Sequence, residues 1–419
     1  MKNGFNVSGV SEMVHEFKAK PREAQLDFSA QASWREDRYD LTIQTLNAGT
    51  IRIPRDFGLE VRPFNEVIND IPTPQELLIL ALGSCVLVTY VQGCSARGIT
   101  LTSLEVHSEG LVPSGEGTFG QKATGLKLKV DIDCEGAPEA IKEIAQFAGC
   151  FSPNHRTFVE DNNPSVELSI KDGSSRSFLG ELNPEAPTSR KQESPTGGLH
   201  PVIAKSIWRY GLQIDSRLES ESPFPPNSHS TKGQKPVHKL KVDQPKQLGG
   251  IDLAPNPQEY LLAAMAGELA ANFVRLARRE GLNIKSVSVN GSGRLDLRGI
   301  LNVAPVPVKM HNLRFHLEVV SDASQEILKR IAGDALSDAT SFATISQANE
   351  IAVSVKMGGK PLLEFTSNMR HVEMFLTNMR EKMRKAQEEK EKSAAPETVP
   401  FYKRVFPFGK LKGMKQGAQ

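Results

Sequence analysis

Between residues 22 and 54 apolar and polar positions alternate in short runs, AQLDFSAQASW, YDLTIQTL and TIRI. A period of two marks a strand with one buried face, so this stretch predicts a strand meander with a hairpin turn at Arg35-Glu36-Asp37-Arg38. The pattern then changes. Thr73-Pro74-Gln75-Glu76 carries a capping Thr, Pro at the first helical position and Glu three residues after the cap, which starts a helix. From there to about Arg97 the first four turns are apolar on nearly all faces, predicting a central buried helix stopped by Gly98. Alternation returns at 102–112 and 125–133. A second helix over 137–149 leads into Cys150-Phe151-Ser152-Pro153, and a strand follows near 165–170. The longest apolar stretch, Leu77 to Val91, is shorter than the roughly 20 residues that span a bilayer and is interrupted by Gly83, Ser84 and Thr89.

The same order then recurs. Residues 256–293 align without gaps onto 73–110 with ten of 38 pairs identical, including Pro-Gln-Glu, Gly98/Gly281 and Val106/Val289. A strand at 312–320, a helix at 323–336 and a strand at 350–356 complete the parallel, so the chain is a tandem duplication, α+β in each half. The aligned partner of Cys85 is Glu268, and that of Cys150 is about Ser337. Residues 172–204, rich in Ser, Pro, Gly and charge, read as a linker, and 219–236 as a long loop. Met369, Val372, Phe375, Leu376, Met379 and Met383 recur at helical spacing and mark an amphipathic helix. The final 20 residues carry five basic and no acidic side chains among three Phe and one Tyr. That tail reads either as a solvated terminus or as a docking segment for a partner or an anionic surface.

Charge and cysteine usage narrow the chemistry. Lys and Arg number 51 against 49 Asp and Glu, a net charge of +2, so no nucleic-acid partner is expected. The N-terminus lacks the apolar core of a signal peptide, and four cysteines in 419 residues are too few for a disulfide-stapled scaffold. The expectation is a soluble protein of a reducing compartment, the cytoplasm. No C-x-x-C is present, and cysteine spacings of 9, 40 and 16 match no common zinc pattern. No metal or cofactor is implied. Glycine-rich phosphate loops, G-x-S-x-G and HExxH are also missing, which leaves thiol chemistry or none. Cys94, nine residues after Cys85, falls on the opposite helix face about 13 Å along the axis and reads as core. Cys134 reads as structural or idle, and His155 as a turn residue or a pocket residue.

The stretch PTPQELLILALGSC, the helix ending in C-F-S-P and the lead-in HKLKVDQPKQLGGIDLAPNPQEYLLAAMAG together resemble the OsmC/Ohr superfamily. The resemblance divides the chain into an OsmC-like domain at 20–172, a linker at 173–204, a second such domain at 205–357 and a helix with a basic tail at 358–419. It implies antiparallel sheets wrapped around long central helices, with the two halves docked as an intramolecular pseudo-dimer. Glu268 would sit near the pseudo-twofold interface, and two tandem chains could pair further as a homodimer. It also implies thiol-dependent reduction of a lipophilic organic hydroperoxide, with Cys85 as nucleophile, Cys150 as resolver and a lipoylated or thioredoxin-type dithiol as reductant. The family supports its thiolate with an arginine held by a glutamate ten residues before the cysteine. Here that position is Gln75. Glu76, beside it, reads as either capping or supporting, and the arginine could be Arg35 or Arg38, or Arg209 or Arg217 of the second half. The alternative is a non-catalytic module that binds a hydrophobic ligand or a protein partner.

Overall fold

The structure, a computed structural model, describes residues 1–36, 38–63, 71–113, 120–172, 175–182, 198–219 and 237–392. The first half begins with helix α1 (Val7–Ala19), followed by strands β1 (Gln25–Arg35), β2 (Arg38–Ala48) and β3 (Ile51–Val61). Helix α2 (Pro74–Ala96) leads to β4 (Leu101–Pro113) and β5 (Thr124–Cys134), then α3 (Pro138–Phe151), α4 (Pro153–Val159), β6 (Ser165–Asp172) and β7 (Ser175–Glu181). The second half repeats the plan. Strands β8 (Leu199–Tyr210), β9 (Gln213–Leu218) and β10 (His238–Val242) precede α5 (Pro257–Arg279), β11 (Ile284–Asp296), a single turn α6 (Leu297–Ile300) and β12 (His311–Ser321). Helices α7 (Gln325–Ser337) and α8 (Thr340–Ser346), strands β13 (Ile351–Met357) and β14 (Lys360–Ser367), and α9 (Met369–Lys392) complete it.

The halves are interwoven. One seven-stranded sheet runs β3-β2-β1-β11-β12-β6-β7 and the other β10-β9-β8-β4-β5-β13-β14. Each sheet thus takes an outer meander from one half, a central antiparallel pair from the other half, and its last two strands from the first again. Only β12–β6 and β13–β5 pair in parallel among the described strands. Because β1 bonds to β11 over Gln25–Ser33 and β4 to β8 over Glu105–Pro113, neither half closes a sheet without the other.

Between the sheets lie α2 and α5, packed against each other. Both are buried over nearly their whole length, and both start with a complete capping box, Thr73 with Glu76 and Asn256 with Glu259. Both are long and apolar enough to cross a membrane, yet each is enclosed in the core. A methyl group at Gly83 would stand 2.5 Å from Ser108 Oγ, so only glycine lets α2 approach β4 this closely. Gly98 and Gly281 end the two helices at φ +72° and +70°, a left-handed conformation that glycine adopts without strain.

Two segments differ from the sequence reading. The stretch 173–204 contains β7 and the start of β8, since Ser175–Glu181 pairs with the edge of β6. The stretch 358–419 begins with β14, an edge strand on β13, before α9 docks through the buried Val372 and Met379. The loop at 220–236 and the basic tail lie outside the described residues. Helix α1, with Val14 and Phe17 buried, precedes the first alternating run and has only a weak apolar stripe to announce it.

Candidate functional site

Cys85 sits mid-way along α2, 2% exposed. Its Sγ accepts the backbone N–H of Asn154 at 3.4 Å and the Gln258 amide Nε2–H at 3.3 Å. The Ser152 hydroxyl lies near enough to favour the thiolate without reaching hydrogen-bond geometry. Asn154, fully buried, holds this corner together. Its Nδ2 donates to Ala81 O at 2.9 Å on α2 and to Pro257 O at 2.8 Å on α5, and its Oδ1 accepts from Gln258. The two halves therefore build the site jointly. Burial raises the thiol above its ordinary pKa, and the donors from Ser152, Asn154, Gln258 and His155 pull against that rise. None of them is a cation, so the thiolate here depends on neutral dipoles.

Beside Cys85 opens a cavity of about 100 Å³. Its wall is mostly apolar: Val10 and Met13 from α1, Val88 from α2, Phe147 and Phe151 from α3, and Leu297 from α6. The polar lining consists of hydroxyls and glutamines. Cys150, one residue before Phe151, is buried, and its thiol is pushed up to about 12 by desolvation, with Arg156 opposing. Its side chain is not part of the cavity wall.

A pseudo-equivalent site occupies the other half. Glu268 stands where Cys85 stands, and it accepts the N–H groups of Thr340 at 3.1 Å and Ser341 at 2.7 Å, together with the Gln75 amide at 2.6 Å. Gln75 is to Glu268 what Gln258 is to Cys85. Each glutamine crosses to the site of the opposite half. Burial raises the Glu268 carboxyl, and those same donors oppose the rise. The symmetry extends to Asn162 and Asn349. Asn162 Nδ2 bonds Thr157 O, Glu160 O and Ile345 O, and Asn349 Nδ2 bonds Phe158 O, Thr344 O and Gln347 O.

The remaining residues singled out from sequence fall elsewhere. Glu76 makes the capping box, its carboxylate accepting the Thr73 N–H at 2.7 Å. Arg38 pairs with Glu60 at 3.0 Å and Arg35 with Asp40 at 3.2 Å, both on the meander, because cross-strand carboxylates stand opposite them. Arg209 pairs with Asp215 at 2.7 Å, and Arg217 occupies an outward position of β9. Cys94 is fully buried core, and Cys134 is partly exposed at the end of β5. His155 is no surface turn residue. It is fully buried, with burial and the nearby Arg156 lowering it to about 3, so it stays neutral. Sequence reasoning missed Gln258, whose signal was its identity with Gln75 in the repeat. It also missed Arg55, a buried arginine on β3 that pairs with Glu259 and, at 2.8 Å, with Asp252. Burial lifts the Glu259 carboxyl against the pull of Arg55.

Two interwoven α+β halves around paired central helices, with one thiol at their shared centre, define a class of fused pseudo-dimeric proteins built on a buried helix cysteine. A family model described as OsmC-like protein matches residues 68–169 and 249–356, together half of the chain. The chain belongs to the OsmC-like family, and its general function is of that type. No curated protein matches it.

Proposed function

We propose that the protein reduces lipophilic organic hydroperoxides through Cys85. The observation that carries this reading is the Cys85 Sγ, set beside an apolar cavity while accepting hydrogen bonds from Asn154 and Gln258. Sulfur attacks the terminal peroxide oxygen and the O–O bond breaks. The thiol proton goes to the departing alkoxide, leaving an alcohol and a Cys85 sulfenic acid. The Cys150 thiol, carried on the α3–α4 corner that supplies Asn154, then attacks the sulfenic sulfur. A disulfide forms and water leaves. A cytoplasmic dithiol of lipoylated or thioredoxin type restores both thiols, and all four cysteines are free in this structure.

The test is consumption of cumene hydroperoxide with a dithiol. Wild type should turn over, Cys85→Ser should not, and Cys150→Ser should retain a single turnover and accumulate the sulfenic acid. No consumption by wild type, or unchanged consumption by Cys85→Ser, refutes the reading. A second reading, a non-catalytic module that holds a hydrophobic ligand, draws on the absence of a cation among the groups that favour the Cys85 thiolate. Peptide mass spectrometry after mild peroxide treatment separates the two. A Cys85–Cys150 disulfide formed ahead of any Cys94 or Cys134 oxidation supports the enzyme, and uniform slow oxidation supports the binding module.

A further inference from the structure

Cys150 lies in the last turn of α3, where the free carbonyls of a helix end gather partial negative charge. A thiolate is disfavoured there, and α3 has no basic residue of its own in that turn. The cation comes from α4. Arg156 is only 8% exposed; its Nη1 donates to the Cys150 carbonyl oxygen at 3.1 Å, and its Nε donates to the Glu160 carboxylate. Lys309, from the second half, stands 3.5 Å from the same carboxylate. One anion is thus shared by two cations, and the guanidinium is not fully neutralised. The other groups at this corner carry no charge near neutral pH. They are the Cys85 thiol of α2, His155 of α4 and His371 of α9, both lowered by burial, and Phe365 and Ser367 of β14.

The second half supplies an internal control. Its corner matches the first residue for residue, since Thr157 and Thr344 donate alike to Pro153 O and Thr340 O, and Asn162 and Asn349 take equivalent places. On that match Ser337 replaces Cys150, Ala343 replaces Arg156 and Gln347 replaces Glu160. Where the thiol is missing, so are the cation and its carboxylate. The Ser337 carbonyl accepts the Gly120 N–H at 2.8 Å instead, so an ordinary backbone donor satisfies this helix end and the fold itself does not require an arginine.

We infer that Arg156 is a positioning residue for the second chemical step, its guanidinium fixed on the Cys150 carbonyl so as to stabilise the thiolate that attacks the Cys85 sulfenic acid. In that step the S–S bond forms as the S–O bond breaks, and the departing hydroxide takes up the proton that Cys150 gave up and leaves as water. Burial pushes the Cys150 thiol up, and Arg156 opposes it. The buried cation of this site therefore serves the resolving thiol, while Cys85 relies on neutral donors. The inference rests on the reading of Cys150 as resolver, but its electrostatic part is measurable without turnover.

The experiment treats the full-length protein with one equivalent of cumene hydroperoxide across neutral to mildly alkaline pH. Peptide mass spectrometry follows the dimedone-trapped Cys85 sulfenic acid and the Cys85–Cys150 disulfide. Arg156→Gln should oxidise Cys85 as fast as wild type yet form the disulfide at least about tenfold more slowly at about pH 7, because a nearby opposite charge shifts a thiol by about one pKa unit or more. Arg156→Lys, which keeps the charge, should recover most of that loss. Glu160→Gln keeps an acceptor for Arg156 and removes the opposing charge, so it should speed disulfide formation. Resolution should quicken as pH rises in every variant. In a Cys85→Ser background, iodoacetamide labelling of Cys150 should fall at least about tenfold in Arg156→Gln, with Cys134 as the internal control. Unchanged resolution in Arg156→Gln, a matching loss of Cys85 oxidation, no recovery in Arg156→Lys, or resolution that ignores pH overturns the inference. If Arg156→Gln does not fold, an unchanged or slower rate in Glu160→Gln overturns it alone. Shifted Cys150 labelling without any sulfenic acid in wild type would leave Arg156 its electrostatic role and remove the reaction. Turnover with unshifted Cys150 labelling would do the reverse.

Discussion

Gln258→Leu offers the sharpest test of how the site makes a thiolate. The substitution keeps the side-chain bulk and removes the Nε2–H that stands 3.3 Å from Cys85 Sγ, while the Asn154 N–H at 3.4 Å remains. A hydrogen bond to a charged acceptor contributes about 1.5–3 kcal/mol, and one pKa unit corresponds to about 1.36 kcal/mol. The Cys85 midpoint should therefore rise by about one to two units. Alkylation runs through the thiolate, so labelling well below the midpoint should slow about 10- to 100-fold, while the plateau at high pH stays where it was. Gln258→Glu should raise the midpoint further, since a carboxylate beside the sulfur adds like-charge repulsion. The assay is the full pH profile of N-ethylmaleimide labelling at Cys85, which separates a shift in midpoint from a change in access. A midpoint that stays put or falls in Gln258→Leu refutes the claim that this cross-half amide stabilises the thiolate.

Glu268→Ala should lower stability by about 3–5 kcal/mol, because it strands the N–H groups of Thr340 and Ser341 and the Gln75 amide in a buried interface. Urea midpoints measure this, and a loss below about 1 kcal/mol would deny Glu268 its role as the lock of the second site. Because burial raises the Glu268 pKa, the folded state holds that proton more tightly than the unfolded chain. Its contribution to stability is then full below the unfolded carboxyl pKa of about 4.3 and is lost as pH rises through the folded value. Glu268→Gln should flatten that part of the stability profile, and an unchanged slope would contradict the sign. Residues 1–182 expressed alone should fail to fold, since β1 and β6 lose β11 and β12 between them. Co-expression with 198–419 should restore a soluble complex on size exclusion. A cooperatively folded 1–182 monomer would contradict the interwoven architecture.

Much of the architecture was legible because it is written in periodicity. The period-two runs became β1 to β3, the all-round apolar stretch after Thr73-Pro74 became α2, and the repeat located α5 without any further signal. What escaped was carried by tertiary pairing. Ser175–Glu181 is too short and polar to read as a strand until β6 offers it an edge, and α1 is recognisable only once Val14 and Phe17 bury and Val10 and Met13 meet the cavity. At the site, Cys85 and Cys150 stood out as residue types in a pattern, but the short helix α4 from Pro153 was not read. The Gln258 contact was hidden because it joins positions 173 residues apart across a pseudo-twofold that no local pattern encodes. The arginines at the hairpin were misleading for a related reason, since facing strands supplied them with Asp40 and Glu60 before any thiol could claim them.

That same pseudo-twofold explains why one chain can hold a thiol and a carboxylate at matching positions. In a dimer of identical subunits any change at a central helix position appears twice, so replacing the cysteine would remove it from both sites. Fusion lifts that constraint. Gln75 and Gln258 stay alike, and both still reach across to the opposite centre, but what each finds there has diverged. On one side an amide and two backbone N–H groups saturate a carboxylate, a fixed structural bond among buried elements. On the other the equivalent amide meets a thiol that borders open apolar space. The carboxyl at the second site ties α5 to α8, while the matching position on the first side carries a thiol beside a cavity.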